Sequence, residues 1–253
     1  MRAMTSDERS VFAETLRTGT ESLGLSLSES QQEDCLRYTE HLLTVNAHTN
    51  LTRITDPAAI AIKHFADSLT VLKAVPDIPN GATVADVGTG AGFPGVVLKI
   101  VRPDLNLTLL DSLGKRLTFL REVADLLGFA NVSFVHIRAE DAGQDRAHRD
   151  RYALVTARAV AALPTLLEWC GPLTRVGGRF VAMKAESADT ELSAATEAAR
   201  ILHLRLTHDE ALALPAVPGE DAPSTRRLLV YEKLRATPPV YPRRPAEIKA
   251  KPL

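Results

Sequence analysis

Beyond residue 80 the chain alternates between two hydrophobic patterns. Short, nearly continuous apolar runs at 82–87, 105–111, 132–137, 152–156 and 179–184 are separated by stretches whose apolar residues return every three or four positions. Runs of the first kind read as strands buried on both faces, and stretches of the second kind read as amphipathic helices. The helices fall at 96–101, at 113–127 and at 163–173, where Pro164 sits in the first turn. The second of these has Leu113, Leu117, Leu120, Val123 or Ala124, and Leu127 along one face and Gly128 past its end. A longer helix spans 189–203. Gly177 and Gly178 make a turn into the strand at 179–184, and two more strands follow at 204–214 and 225–233. Strand alternating with helix implies an α/β fold on a parallel sheet.

The first eighty residues are patterned as helix throughout. Ser28 and Gln31 have capping-box spacing, with Cys35, Tyr38, Leu42 and Val45 behind them at helical intervals. Asp56 followed by Pro57 reads as an N-cap with proline in the first turn. The helix it starts carries Ile60, His64 or Phe65, Leu69 and Leu72, and stops before Pro76. His64 and Asp67 read as hydrogen-bonding residues that dock this helix, with a catalytic part as the alternative. Three regions are therefore expected: a helical extension (1–80), a Rossmann-like core (81–235) and an extended proline-rich tail (236–253).

Composition changes this picture at few points. No apolar run is long enough to span a bilayer, and the charged first ten residues do not resemble a secretory signal. Cys35 and Cys170 are the only cysteines, which excludes a cysteine zinc cluster and a disulfide framework. A cytoplasmic protein without a metal is expected, and a monomer. The formal net charge is −1, yet from Arg226 onward eight Lys or Arg face only Glu232 and Glu247. Such a tail fits a polyanionic partner.

The candidate chemistry sits at 86–95, DVGTGAGFPG. Gly88 and Gly90 begin a dinucleotide fingerprint, but its third glycine position is Phe93. The spacing is G-x-G-x-G through Gly92, with Asp86 two residues ahead. That resembles the first motif of class I S-adenosylmethionine-dependent methyltransferases. Asp111 ends the next strand, where its carboxylate can accept from both ribose hydroxyls. Glu140 follows the third strand, at the level of an adenine. Acceptors at the carboxyl ends of successive strands suit the ligand crevice of an open α/β sheet.

Further strings narrow the resemblance. LLDSLGKR at 109–116, TARAVAALPTLL at 156–167, NLTRITDP at 50–57, HFADSL at 64–69, GGRFVAMK at 177–184 and YPRRP at 241–245 are similar to the RsmG (glucose-inhibited division protein B) family. The resemblance runs from about residue 30 to the end. It departs at Ala185 and Ala246, where glycine is usual. It implies a bacterial enzyme that uses S-adenosylmethionine to methylate N7 of a guanine in the 530 loop of 16S rRNA, position 527 in the usual numbering. Its partner would be that RNA or the small ribosomal subunit. It implies that Gly88, Phe93, Ala139, Glu140 and Arg158 hold the cofactor, beside Gly90, Asp86 and Asp111 from the motif reading. Arg226, or Arg227 in the alternative register, would handle RNA.

The chemistry agrees on independent grounds. Guanine N7 has an in-plane lone pair and no proton, so its methylation needs alignment at about 3 Å rather than a base or a covalent intermediate. The place after the fourth strand reads Thr156, Ala157, Arg158, Ala159, without the proline-aromatic signature of amino-group methylation. Cys170 lies in an apolar helix and reads as core. Arg158 is the candidate positioning group in catalysis, expected against carboxylate, phosphate or guanine O6. The alternative is an ion pair with Glu140 or Asp86. Lys184, Arg226, Arg227, Arg243 and Arg244, with Arg53, are the expected RNA contacts. A small-molecule methyltransferase and an assembly factor without turnover are the competing readings.

Overall fold

A computed structural model describes residues 4–185, 189–220 and 222–253. Seven strands form one sheet: β1 (Thr83–Val87), β2 (Asn106–Asp111), β3 (Val132–His136), β4 (Tyr152–Arg158), β5 (Thr174–Ala185), β6 (Leu204–Ala213) and β7 (Thr225–Lys233). Their order is β3-β2-β1-β4-β5-β7-β6. The first five run parallel, while β7 lies antiparallel between β5 and β6. This is the expected Rossmann-like, mostly parallel sheet. The chain leaves β1 toward β2 on one side, and β4 occupies the other, so a crevice opens beyond the carboxyl ends of β1 and β4.

Strand residues divide between two apolar layers with a period of two. Val84, Leu109, Leu154, Val181 and Val230 face one layer, and their neighbours Ala85, Leu110, Val155, Phe180 and Leu229 face the other. The first layer is covered by α1 (Ser6–Ser22), α2 (Glu29–Thr49), α3 (Pro57–Ile60), α4 (Asp67–Ala74), α5 (Gly95–Val101) and α6 (Gly114–Leu127). The second is covered by α7 (Ala139–Gln144), α8 (Leu163–Cys170) and α9 (Asp189–Ile201). Phe12 and Leu16 of α1 therefore share one cluster with Leu109 of the sheet. Truncating a fully buried leucine there, such as Leu120, is expected to cost about 2–5 kcal/mol.

The helix expected after Asp56 is interrupted. Asp56 caps it as anticipated, its Oδ1 accepting from the Ala59 N–H at 2.8 Å. Between α3 and α4, however, Ala61–Ala66 form a π-helical segment. Gly177 and Gly178, expected as a turn leading into a strand at 179–184, do not precede the strand, which already begins at Thr174. They lie in a bulge within β5, whose pairing with β4 steps from Tyr152–Thr174 to Leu154–Arg179. Ala139–Gln144, for which the pattern suggested no helix, make α7. The tail is not wholly extended either: Pro245–Ala250 form α10, and Ile248 is buried.

Candidate functional site

The turn after β1 is built by its own backbone and by one carboxylate beneath it. The N–H groups of Gly88 and Thr89 both donate to the Leu110 carbonyl, at 2.9 and 3.1 Å. Asp86 is fully buried under the turn. Its Oδ2 accepts from Thr89 Oγ1 at 2.6 Å and from the Gly95 N–H at 3.1 Å, and its Oδ1 from Thr156 Oγ1 at 2.9 Å. Burial pushes this carboxyl up to about 6, against the pull of those three hydrogen bonds. Asp86 thus lies below the glycines, not on their open side, and what it holds is the turn.

Gly90 is the open point of the turn. Its φ is 60°, and an added Cβ would meet nothing nearer than the Gly88 carbonyl at 3.9 Å. Its N–H donates to Asp111 Oδ2 at 3.0 Å. Asp111 Oδ1 accepts from the Leu113 N–H at 2.9 Å, and Arg116 Nη1 reaches Oδ2 at 3.1 Å. A carboxylate offers about four lone-pair sites. A diol could share Asp111 once the half-exposed Arg116 gives way. Glu140 lies in the first turn of α7 and is buried, with Ala139 before it. Open glycine backbone and two acids at successive strand ends fit a ribosyl-adenine ligand.

Gly92 is required by packing. At φ 100°, a Cβ would come within 2.7 Å of Leu120, Val96 and the Tyr38 hydroxyl. That hydroxyl donates to the Ala91 carbonyl. Phe93 then inserts into an aromatic stack. The Tyr38 ring lies 5.3 Å away at 21° and the His64 ring 4.4 Å away at 17°, with Phe65 edge-on at 5.5 Å. Helix α2 and the π-helical segment therefore brace the glycine turn directly.

Beside the turn lies a cleft of about 470 Å³, lined by Lys63, His64, Asp67, Arg158, Lys184, Glu191 and Arg226, among others. Arg158 lies over the Phe93 ring, 5.2 Å from its centroid. It forms an ion pair, with neither Glu140 nor Asp86 but with Asp67, whose Oδ2 is 2.8 Å from Nη1. Nη1 also donates to the Lys63 carbonyl at 3.0 Å. Arg226 Nε meets the other oxygen of Asp67 at 3.1 Å. Arg158 Nη2 lies 3.3 Å from His64 Nδ1, and His64 Nε2 lies 2.9 Å from Thr52 Oγ1. Guanidinium can only donate, so Nδ1 is the acceptor and His64 is neutral with its proton on Nε2. Burial first, and the Arg158 charge second, push its pKa down to about 3.

His64 and Asp67 thus do dock their helix, and in doing so line the cleft. Lys63 had no place in the sequence reading. Its only signal was the four-residue step to Asp67, which puts both on one helix face. Lys184 joins the cleft, pairing with Glu191 at 2.7 Å and donating to the Ala161 carbonyl at 3.0 Å. Arg227 is elsewhere: it points to Asp209 of β6, Nε to Oδ1 at 2.6 Å. Of the two registers, Arg226 is the one at the cleft.

The tail arginines lie at the far side of the crevice, near Glu140. Arg243 grips the buried Glu168 with Nε at 2.8 Å, Nη2 at 2.6 Å and its backbone N–H at 2.8 Å. Arg149 donates to the carbonyls of Thr237, Tyr241 and Gly143. Arg244 is exposed at the head of α10. The tail is docked, not free.

Comparison with known proteins decides the family. The family model for rRNA small subunit methyltransferase G matches residues 31–214. The chain belongs to that family. It is 43% identical over 244 residues to Ribosomal RNA small subunit methyltransferase G of Lactobacillus delbrueckii subsp. bulgaricus, covering 96% of this chain and 98% of the relative. It is 44% identical over 237 residues to the protein of that name from Desulforamulus reducens, covering 94% and 96%. Among solved structures, M. jannaschii TYW2 in complex with AdoMet aligns with a TM-score of 0.50 at 14% identity, covering 66% of this chain and 77% of that one. This last likeness speaks to the fold alone.

Proposed function

We propose that this methyltransferase uses S-adenosylmethionine to methylate N7 of a guanine in the 530 loop of 16S rRNA, position 527 in the usual numbering. Family membership sets the class of substrate. The carrying observation for N7 is that the cleft is rich in cationic donors while its bases are engaged. His64 accepts from Arg158 and binds a proton only near pH 3. Both oxygens of Asp67 are ion-paired. Of the described lining bases, His64 and Asp67 are thus committed to arginines, and Glu191 has its Oε2 engaged by Lys184 and the Leu163 N–H. That suits an acceptor nitrogen with a bare lone pair.

When bound, the cofactor supplies an electrophilic methyl group on a sulfonium. Gly88 and Gly90 let backbone approach it, Asp111 accepts from the ribose and Glu140 borders the adenine, with Ala139 and Phe93 completing the walls. Arg158, fixed by Asp67 and the Lys63 carbonyl, holds the guanine through its O6 edge and keeps N7 aligned. Arg226 and Lys184 meet RNA phosphates. The test is to incubate the protein and labelled S-adenosylmethionine with small subunits lacking this methylation, then map N7-methylguanine by reduction and strand scission. One cleavage site, in the 530 loop, is expected. Label elsewhere or on amino nitrogens contradicts the reading.

A further inference from the structure

Asp67 does more in the cleft than fix Arg158. Asp67 is 2% exposed, yet it is the meeting point of two arginines from different strands. Arg158 comes from the end of β4 and Arg226 from the start of β7, which lie on either side of β5. No sheet hydrogen bond joins β4 to β7, so the two guanidiniums are set relative to each other by Asp67. The carboxylate itself is delivered by the π-helical segment, at the first residue of α4. Such segments interrupt a helix at a cost in regular hydrogen bonding and often mark functional positions.

We propose that Asp67 is the positioning residue of the acceptor cleft: it fixes Arg158 and Arg226, one on each carboxylate oxygen, and offsets one of their charges while the acceptor base becomes cationic. This rests on the N7 reading. Guanine N7 carries no charge before transfer and a full positive charge after it. Two uncompensated guanidiniums beside it would oppose that change, and a buried anion between them removes much of the opposition. Arg226 has only its Nε and Nη1 engaged, the latter with the Thr225 carbonyl at 3.2 Å. Its Nη2 has no hydrogen-bond partner among the described residues, and is held in place for a phosphate. The anion therefore has opposite effects on two steps. It weakens the general attraction of the cleft for polyanionic RNA, and it speeds transfer.

That opposition gives a test that a merely structural role would not pass. The variant is Asp67→Asn, equal in size and still able to accept one hydrogen bond. With unmethylated small subunits, kcat is expected to fall about 10- to 100-fold, the scale of a misplaced positioning contact. KM for subunits should stay level or drop, and S-adenosylmethionine affinity should remain within about twofold by calorimetry. In an Arg226→Gln background the same change should cost much less, because its partner is already gone. The proposal is overturned if kcat stays within about twofold of the parent. It is equally overturned if kcat, cofactor affinity and subunit affinity fall together. If Asp67→Asn does not fold by circular dichroism, Arg226→Lys replaces it, keeping the charge but not the Nε contact. The same fall in kcat supports the proposal, and parental kcat overturns it. A parent chain that puts no label into subunits defeats the functional reading itself, and this inference with it.

Discussion

Arg226 and Arg243 look alike in the sequence and in their first contact, since each pairs with a buried carboxylate. Their surroundings differ. Arg243 closes on Glu168 with Nε and Nη2, and its backbone N–H joins them on a carboxylate that is 0% exposed. Arg226 lines the cleft, gives Asp67 a single contact through Nε, shares that carboxylate with Arg158 and has no partner for Nη2 among the described residues. One arginine is a staple for the tail. The other lines the cleft with one of its nitrogens unpartnered among the described residues. A basic residue is therefore informative about a ligand only when its donors are not already used inside the fold.

Removing the staple should have the largest effect. Arg243→Ala leaves Glu168 buried and unpaired, which is expected to cost about 3–5 kcal/mol in urea unfolding. The salt dependence of RNA binding at temperatures where the variant is folded should not change. A flattened salt slope with unchanged stability would reverse the two roles. Next in size is Arg158→Ala, expected to slow turnover about 100-fold at saturating cofactor. Arg226 still neutralises Asp67 in that variant, so the loss of stability should be smaller than for Arg243→Ala. Arg226→Ala should weaken RNA binding and lower the salt slope by about one unit, with little effect on stability.

The smallest effect lies in the pH dependence. His64 has a folded pKa of about 3 against an ordinary 6.5. The fold favours its neutral form, so its contribution is complete above about pH 6.5 and is lost as pH falls. Asp86 acts in the opposite sense, because its folded value of about 6 stands above 3.8. Its contribution is present below the unfolded value and lost as pH rises through 6. The two partly cancel between pH 4 and 6, and only a difference separates them. The stability of the parent minus that of His64→Asn should shrink by up to about 1.4 kcal/mol per pH unit below 6.5. A difference that stays constant with pH would mean that His64 is not held neutral.

Much of this was legible in the chain. Unbroken apolar runs and helical repeats located the five parallel strands and most helices, because the centre of the sheet is covered on both faces. β6, an edge strand that is largely exposed, has a mixed pattern and was less legible. The glycine turn was legible for the same local reason: Gly88, Gly90 and Gly92 all take positive φ. The bulge at Gly177 was not, since glycines serve turns and bulges alike. The cleft was the least legible part. Lys63, Asp67, Arg158 and Arg226 are brought together by packing across elements up to 159 positions apart, and helical periodicity gives no hint of a π-helical segment. Charge in the tail suggested an RNA surface, but Glu168 sits inside an apolar helix and gives no warning that it will bind Arg243.

If the cleft aligns an acceptor without deprotonating it, the single-turnover rate of methyl transfer to unmethylated small subunits, at saturating S-adenosylmethionine, carries the signature across pH 6 to 9. A rate that is flat over that range is the predicted result. A tenfold rise per pH unit below some apparent pKa would reveal a base that must lose its proton first, and would contradict alignment without deprotonation.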